Sequence, residues 1–215
     1  MSVTGWRTLT CRACGAAVEG LAVESANPAR HPPFRQKLLA RTLLRMACPS
    51  CGAPHEHYDR FVWADLPSGL CACVIHDSER DDWADLEQEA RDALSLPLRE
   101  EGPNVVRTWG ASMAIRLVFG LEELREKVVC CTSRIDDRLV EAVKLDLPHG
   151  ASLDDAIVGE ALIFRRADAR TMCVPWAQYE QVGRRCEALA AELVGLFDPR
   201  SAWVSVARSR RPPRA

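Results

Sequence analysis

The feature that most narrows what this chain can fold into is a cysteine turn used twice: Cys11-Arg12-Ala13-Cys14-Gly15 and, further along, Cys48-Pro49-Ser50-Cys51-Gly52. A C-x-x-C turn lets two sulfurs point at one spot, and the glycine behind the second cysteine relaxes the backbone there. Two such turns supply four thiolates, the set that zinc takes tetrahedrally in closed structural sites. Cys11, Cys14, Cys48 and Cys51 are therefore expected to ligate one structural Zn2+, whose binding free energy becomes folding free energy. The linker 15–47 exceeds the commonest ribbon spacing of about 15 to 20 residues, so it has to contain a structured excursion. A thiol-disulfide oxidoreductase is the alternative reading of the pairs. Such a redox motif normally stands between a strand and a helix in a βαβ unit, which neither pair clearly does.

Ten cysteines in a small secreted chain would suggest disulfides, but here four stand in the two pairs. Cys71, Cys73, Cys130, Cys131, Cys173 and Cys186 lie among apolar neighbours and read as buried core thiols. With 47% hydrophobic and 27% charged residues the chain can bury a sizeable core, which argues against wholesale disorder. A formal net charge of -2 gives no whole-chain attraction for nucleic acid or an anionic membrane. No stretch reaches the ~18 apolar residues of a membrane helix, and residues 1–9 hold no signal-peptide run. A cytoplasmic protein with reduced thiols and no membrane partner is expected.

The pattern predicts an α+β fold. Residues 1–100 form a zinc-ribbon-like β lobe with an insertion between the cysteine pairs, 101–207 a mixed α/β lobe ending in a long amphipathic helix, and 208–215 a mobile basic tail. In the first lobe a short irregular strand is expected over 18–25, a proline-rich loop over 27–34, and a helical turn then a strand over 35–46. Aromatic and β-branched runs at 58–64 and 70–75 read as a hairpin. Ser78 opens a helix to Leu94, and the Glu-Gly-Pro-Asn at 101–104 marks the boundary between lobes. Beyond it come a strand at 113–119, a short charged helix at 121–127 and a strand at 128–132. A helix over 137–145 capped by Asp136 follows, then paired strands at 161–164 and 171–174. Tyr179, Val182, Cys186, Leu189, Leu193 and Leu196 mark the closing helix.

Other candidates for chemistry are thinner. His55 and His57, with Cys71, Cys73 or His76, could build a second metal site, though a bland core or surface role is the default for each. Arg30, His31, Arg35, Lys37, Arg41 and Arg45 make a basic stretch able to neutralise phosphates. Sparse aromatic interleaving and the acidic run 77–92 favour a solvated face instead. Glu122, Glu123 and Glu126 read as the wet side of a short helix, and Asp136-Asp137-Arg138 as a helix start with a local ion pair. No nucleophile with its base, catalytic carboxylate pair or phosphate-cradling glycine loop is evident.

The two cysteine pairs resemble those of the CpXC-domain proteins of bacteria and archaea. That family opens with a C-x-x-C-G pair, carries a C-P-x-C-G pair some thirty to forty residues later, and continues into a strand hairpin. Here Thr10 to Gly15, Ala47 to Gly52 and Val62-Trp63-Ala64-Asp65 fit that arrangement, as do Val118 to Lys127 and Asp136 to Glu141. Arg12 stands where the family's proline would, which leaves the ligands intact. The resemblance covers roughly 8–145 and implies a metal-binding domain, with no biochemistry assigned. The resulting expectation is a non-catalytic binding or adaptor protein with protein partners, and a nucleic-acid-binding ribbon as the alternative.

Overall fold

The structure, a computed structural model, describes residues 2–95, 113–185 and 202–205. Strand β1 (Val3–Thr10) turns at the first cysteine pair into β2 (Ala17–Ala26). Helix α1 (Pro33–Leu39) starts on a proline, whose missing N–H is no loss in a first turn. A two-stranded ribbon follows, β3 (Arg45–Ala47) and β4 (Pro54–Glu56), with the second cysteine pair at its tip. The hairpin β5 (Arg60–Asp65) and β6 (Leu70–Ile75) lies where the aromatic and β-branched runs place it. After a 3-10 turn at Asp77–Asp82 comes α2 (Trp83–Ser95). Its approach is capped by His76, whose ring accepts from the Ser78 N–H, so the signal read at Ser78 sits one turn early.

The second half contains β7 (Ala114–Phe119), α3 (Gly120–Ser133), α4 (Asp137–Val143), β8 (Ser152–Ile157), β9 (Ala161–Arg165), β10 (Thr171–Pro175) and α5 (Trp176–Arg184). The architecture is mixed β and α/β: cysteine turns flank an insertion, and a helical, mixed lobe follows. The main sheet has the order β1-β2-β5-β6-β7, and a second sheet the order β10-β9-β8. β7 lies beyond the boundary expected at 101–104, yet it pairs in parallel along all of β6, so the main sheet continues past that position. Residues 101–104, the closing helix beyond 185, Cys186 and the tail 208–215 lie outside the described residues.

Around β5, β6 and β7 the main sheet is buried on both faces. On one, Phe61, Trp63, Leu70, Ala72, Val74 and Val118 meet Leu38 of α1 and Leu121, Leu124 and Val128 of α3. On the other, Cys71, Ile75 and Leu117 meet Trp83, Leu86, Ala90 and Leu94 of α2, and Trp203 closes the cluster. Trp203 is fully buried between Trp83 and Phe119, with ring centroids 5.4 and 5.1 Å away. Its segment is fixed by main-chain bonds: Leu117 N–H donates to Ala202 O (2.9 Å), while Glu87 Oε1 accepts from the N–H groups of Ala202 (2.7 Å) and Trp203 (2.9 Å). A third core joins Val129 and Cys130 of α3 to Val140, Val143, Leu153, Leu162, Phe164, Val174 and Tyr179.

Helix α3 thus lies between two cores, which corrects the strand expected at 128–132. Val128 faces one core and Val129 and Cys130 the other, so the segment is apolar all round and loses the one-sided period of a surface helix. Tertiary packing overrides the weak strand preference of its β-branched residues. Two other elements are missed for the opposite reason. β1 is almost wholly exposed, and the outer β8 is only partly covered, so neither carries a full apolar alternation.

Glu126, expected on a wet face, is buried together with Lys127, Asp137, Glu141 and Arg116. Asp136 does cap α4, accepting from Arg138 N–H at 2.8 Å, but Asp137 points inward rather than into a local pair. Arg116 grips it with two parallel bonds of 2.8 Å, and Lys127 Nζ stands 3.2 Å away. Lys127 also donates to Val204 O (2.6 Å), and Lys144 pairs with Glu126 and with Glu141 (2.9 Å). Burial alone would raise the Asp137 carboxyl, but Lys127 and Arg116 hold it well below the usual carboxylate range. Removing one partner of such a group leaves buried charge uncompensated. Asp137→Asn should therefore destabilise the protein by about 3–5 kcal/mol in chemical denaturation at neutral pH. Because the folded carboxyl titrates low, this contribution is present at neutral pH. It disappears as pH falls below the ordinary carboxylate pKa of about 4, so the gap between wild type and variant should narrow in acid.

Candidate metal centre

The two cysteine turns have the same backbone. In the first, Cys11 N–H donates to Ala16 O (2.8 Å) and Gly15 N–H to Cys11 O (2.8 Å). In the second, Cys48 N–H donates to Ala53 O (2.8 Å) and Gly52 N–H to Cys48 O (2.9 Å). Gly15 (φ 74°) and Gly52 (φ 71°) take the left-handed conformation that closes each turn, where a side chain would be strained. Each turn joins antiparallel strands: Thr10 opposes Ala17 across the first, and Ala47 opposes Pro54 across the second.

The four sulfurs converge. Cys11 Sγ lies 3.9 Å from Cys51 Sγ and Cys14 Sγ 3.8 Å from Cys48 Sγ, and all four fall within 4.8 Å of one another. These gaps are far beyond the ~2.05 Å of a disulfide. They match the edge of a tetrahedron with metal–sulfur bonds near 2.3 Å, which is roughly 3.8 Å. Cys11 and Cys48 are buried against Val18, and Cys14 and Cys51 face outward. The backbone N–H groups of Cys51 and Ser50, aimed at Cys48 Sγ, pull that thiol down to about 6. At Cys14 the Ala16 N–H acts the same way, but hydrogen bonds shared with the neighbouring thiols outweigh it and push the group up to about 12. A divalent cation bound by such a set releases the remaining thiol protons and is held by thiolates. The donor set and its spacing fit a zinc-type ion.

The histidines do not join them. Among the described residues, the four cysteines are the one group of three or more His, Cys, Asp or Glu close enough to share a metal. His55 and His57 stack edge to face with ring centroids 5.5 Å apart, both buried. His57 Nε2 meets Arg7 O at 3.1 Å, and its ring fills the space over Gly20. Burial, then His57 and Arg12, push the His55 imidazole down. His76 serves its cap, and Cys71 and Cys73 are raised by burial to about 12 and about 11 on β6. Of the expected core thiols, Cys71 and Cys130 are buried, whereas Cys173 is exposed on β10, where alternate residues face solvent.

The basic stretch is largely neutralised by carboxylates distant in sequence. Arg35 pairs with Asp65, Arg41 with Asp154 (2.6 Å) and Glu122 (3.2 Å), and Arg45 with Glu56 (3.1 Å) and Glu122 (3.2 Å). Sequence alone could not pair them, because their partners lie on β5, α3, β4 and β8. Nor does it reveal that the His57 ring packs over Gly20 of β2. A Cβ at Gly20 would lie 3.0 Å from the His57 ring, so Gly20→Val should shift the denaturation midpoint by the equivalent of about 1–3 kcal/mol.

No curated protein and no solved structure matches the chain. The family model for CpXC proteins matches residues 9–144, more than half of its length and both cysteine turns. The chain belongs to the CpXC protein family.

Proposed function

We propose that Cys11, Cys14, Cys48 and Cys51 hold one structural Zn2+, and that the chain works as a non-catalytic binding or adaptor protein. The observation that carries this reading is the convergence of four sulfurs, from two turns of the same geometry, at tetrahedral spacing. Four thiolates fill the zinc shell and leave no position for water or substrate, so the ion's work is to hold the ribbon together. The turns are bridged by few apolar contacts, with Cys11, Val18 and Cys48 as their own small cluster. Metal–sulfur bonds then supply what a larger core would elsewhere, on the order of 10–16 kcal/mol for structural zinc at neutral pH.

A protein partner is favoured over nucleic acid because Arg35, Arg41 and Arg45 already face carboxylates, which leaves less free positive charge for phosphates. No helix among the described residues is long and apolar enough to cross a membrane, which supports a partner off the bilayer. A redox role is disfavoured by the burial of Cys48, whose thiol is pulled down by backbone N–H groups, since a reactive thiolate needs access.

Protein purified without chelator should carry one zinc per chain by elemental analysis. Cys48→Ser should lose that metal and the protease resistance of the first sixty or so residues. Metal-free wild-type protein that keeps the same resistance would sink the structural role. The intact, metal-loaded chain, isolated from its own cells, should bring down protein. Nucleic acid retained in a steeply salt-dependent way would transfer the reading to the alternative.

A further inference from the structure

We infer that the open edge of the main sheet is a self-association site, at which β1 pairs antiparallel with β1 of a second copy around a two-fold axis through Trp6. This goes beyond the adaptor reading and does not depend on it. Among the described residues β1 is the outermost strand and pairs with β2 alone. Six of its eight residues are exposed, and Trp6 is 79% exposed beside Leu21 at 50%, its partner on β2. Isolated edges of this length are usually blunted by proline, lysine or inward charge. β1 has neither proline nor lysine, and its one charge, Arg7, is neutralised by Glu24.

The hydrogen-bond phase selects the occupant. Cys11 N–H donates to Ala16 O, which makes that pair a bonded one; in the register of β1 and β2, Leu9, Arg7 and Gly5 then also bond inward to β2. The N–H and C=O groups of Thr4, Trp6, Thr8 and Thr10 accordingly point to the open side. Around Trp6 the strand reads almost the same in both directions: Thr4 and Thr8 flank it, then Val3 and Leu9. A two-fold through Trp6 sets Trp6 against Trp6 of the other copy and Thr4 against Thr8. The Trp6–Trp6 and the two Thr4–Thr8 pairs then bring outward-pointing backbone groups together, giving about six main-chain hydrogen bonds. The Trp–Trp and Thr–Thr neighbours are the cross-strand pairs that stabilise antiparallel sheets.

Charge fixes the register. With the axis at Trp6, each Arg7 faces Gly5 of the other copy, where a Cβ would meet nothing within 4 Å, so the incoming side chain has room. Sliding by two residues towards the turn would place Arg7 directly opposite Arg7, which is repulsive. Two Trp rings and the strand edges would bury about 1,000 Å², near the boundary between transient and standard interfaces, so association is expected at roughly micromolar concentration.

Sedimentation velocity of the full, metal-loaded chain over a concentration series tests this. A reversible monomer–dimer equilibrium is expected. Trp6→Lys should weaken it by about tenfold or more, and so should Thr8→Pro, which removes an outward donor while leaving the bonds to β2 in place. Both variants should keep the wild-type circular dichroism and metal content. Trp6→Cys should give a symmetric intermolecular disulfide, identified by peptide mapping, because bonded antiparallel partners have Cα atoms ~5.5 Å apart. A chain that stays monomeric throughout overturns the inference, as does a dimer that both edge variants leave intact.

Discussion

Four sulfurs from turns far apart in the chain have to reach one point, and much of the amino-terminal half is arranged to let them. The β1–β2 hairpin carries one turn on the edge of the main sheet, and the short β3–β4 ribbon carries the other on an excursion with little core of its own. The His57 ring, just after β4, packs directly over Gly20 of β2. The linker between the turns is long because it also has to build α1, which puts Leu38 into the main core, and to return at Arg45 within reach of Glu56 and Glu122. The ion pairs of Arg41 and Arg45 with α3 and β8 tie the excursion to the second half of the molecule.

That second half is organised by α3, which packs against both sheets. Its polar residues are not on a wet face; they reach into a network where Arg116, Lys127 and Lys144 meet Asp137, Glu126 and Glu141. Buried ion networks contribute less net stability than their short distances suggest, because each charge has given up its hydration. They are strict about geometry, since a shift of α4 against α3 would strand several charges at once. Lys127 extends this strictness to residue 204 through Val204 O.

The candidate site was legible in the sequence because C-x-x-C-G is a local code: spacing and glycine together dictate a turn, and the backbone bonds at Gly15 and Gly52 are what that code calls for. The β5–β6 hairpin and the Asp136 cap are local in the same sense. What stayed hidden is long-range. The burial of Glu126 cannot be seen without Lys144, and the helical state of 128–132 depends on cores on both sides. The quenching of Arg35 and Arg41 needs Asp65 and Asp154. A strand such as β1, exposed on both faces, has no periodic signal because nothing selects one face for burial.

Trp203 closes the core between α2 and β7 although it lies well beyond residue 144, where the match to the family ends. A chain emerging from the ribosome would leave Trp83 and Phe119 facing an open socket until residue 203 had been made. Closure of this core therefore waits on a segment well downstream of the family limits, and a fragment trimmed to those limits would display a greasy hollow where the longer chain has a plug.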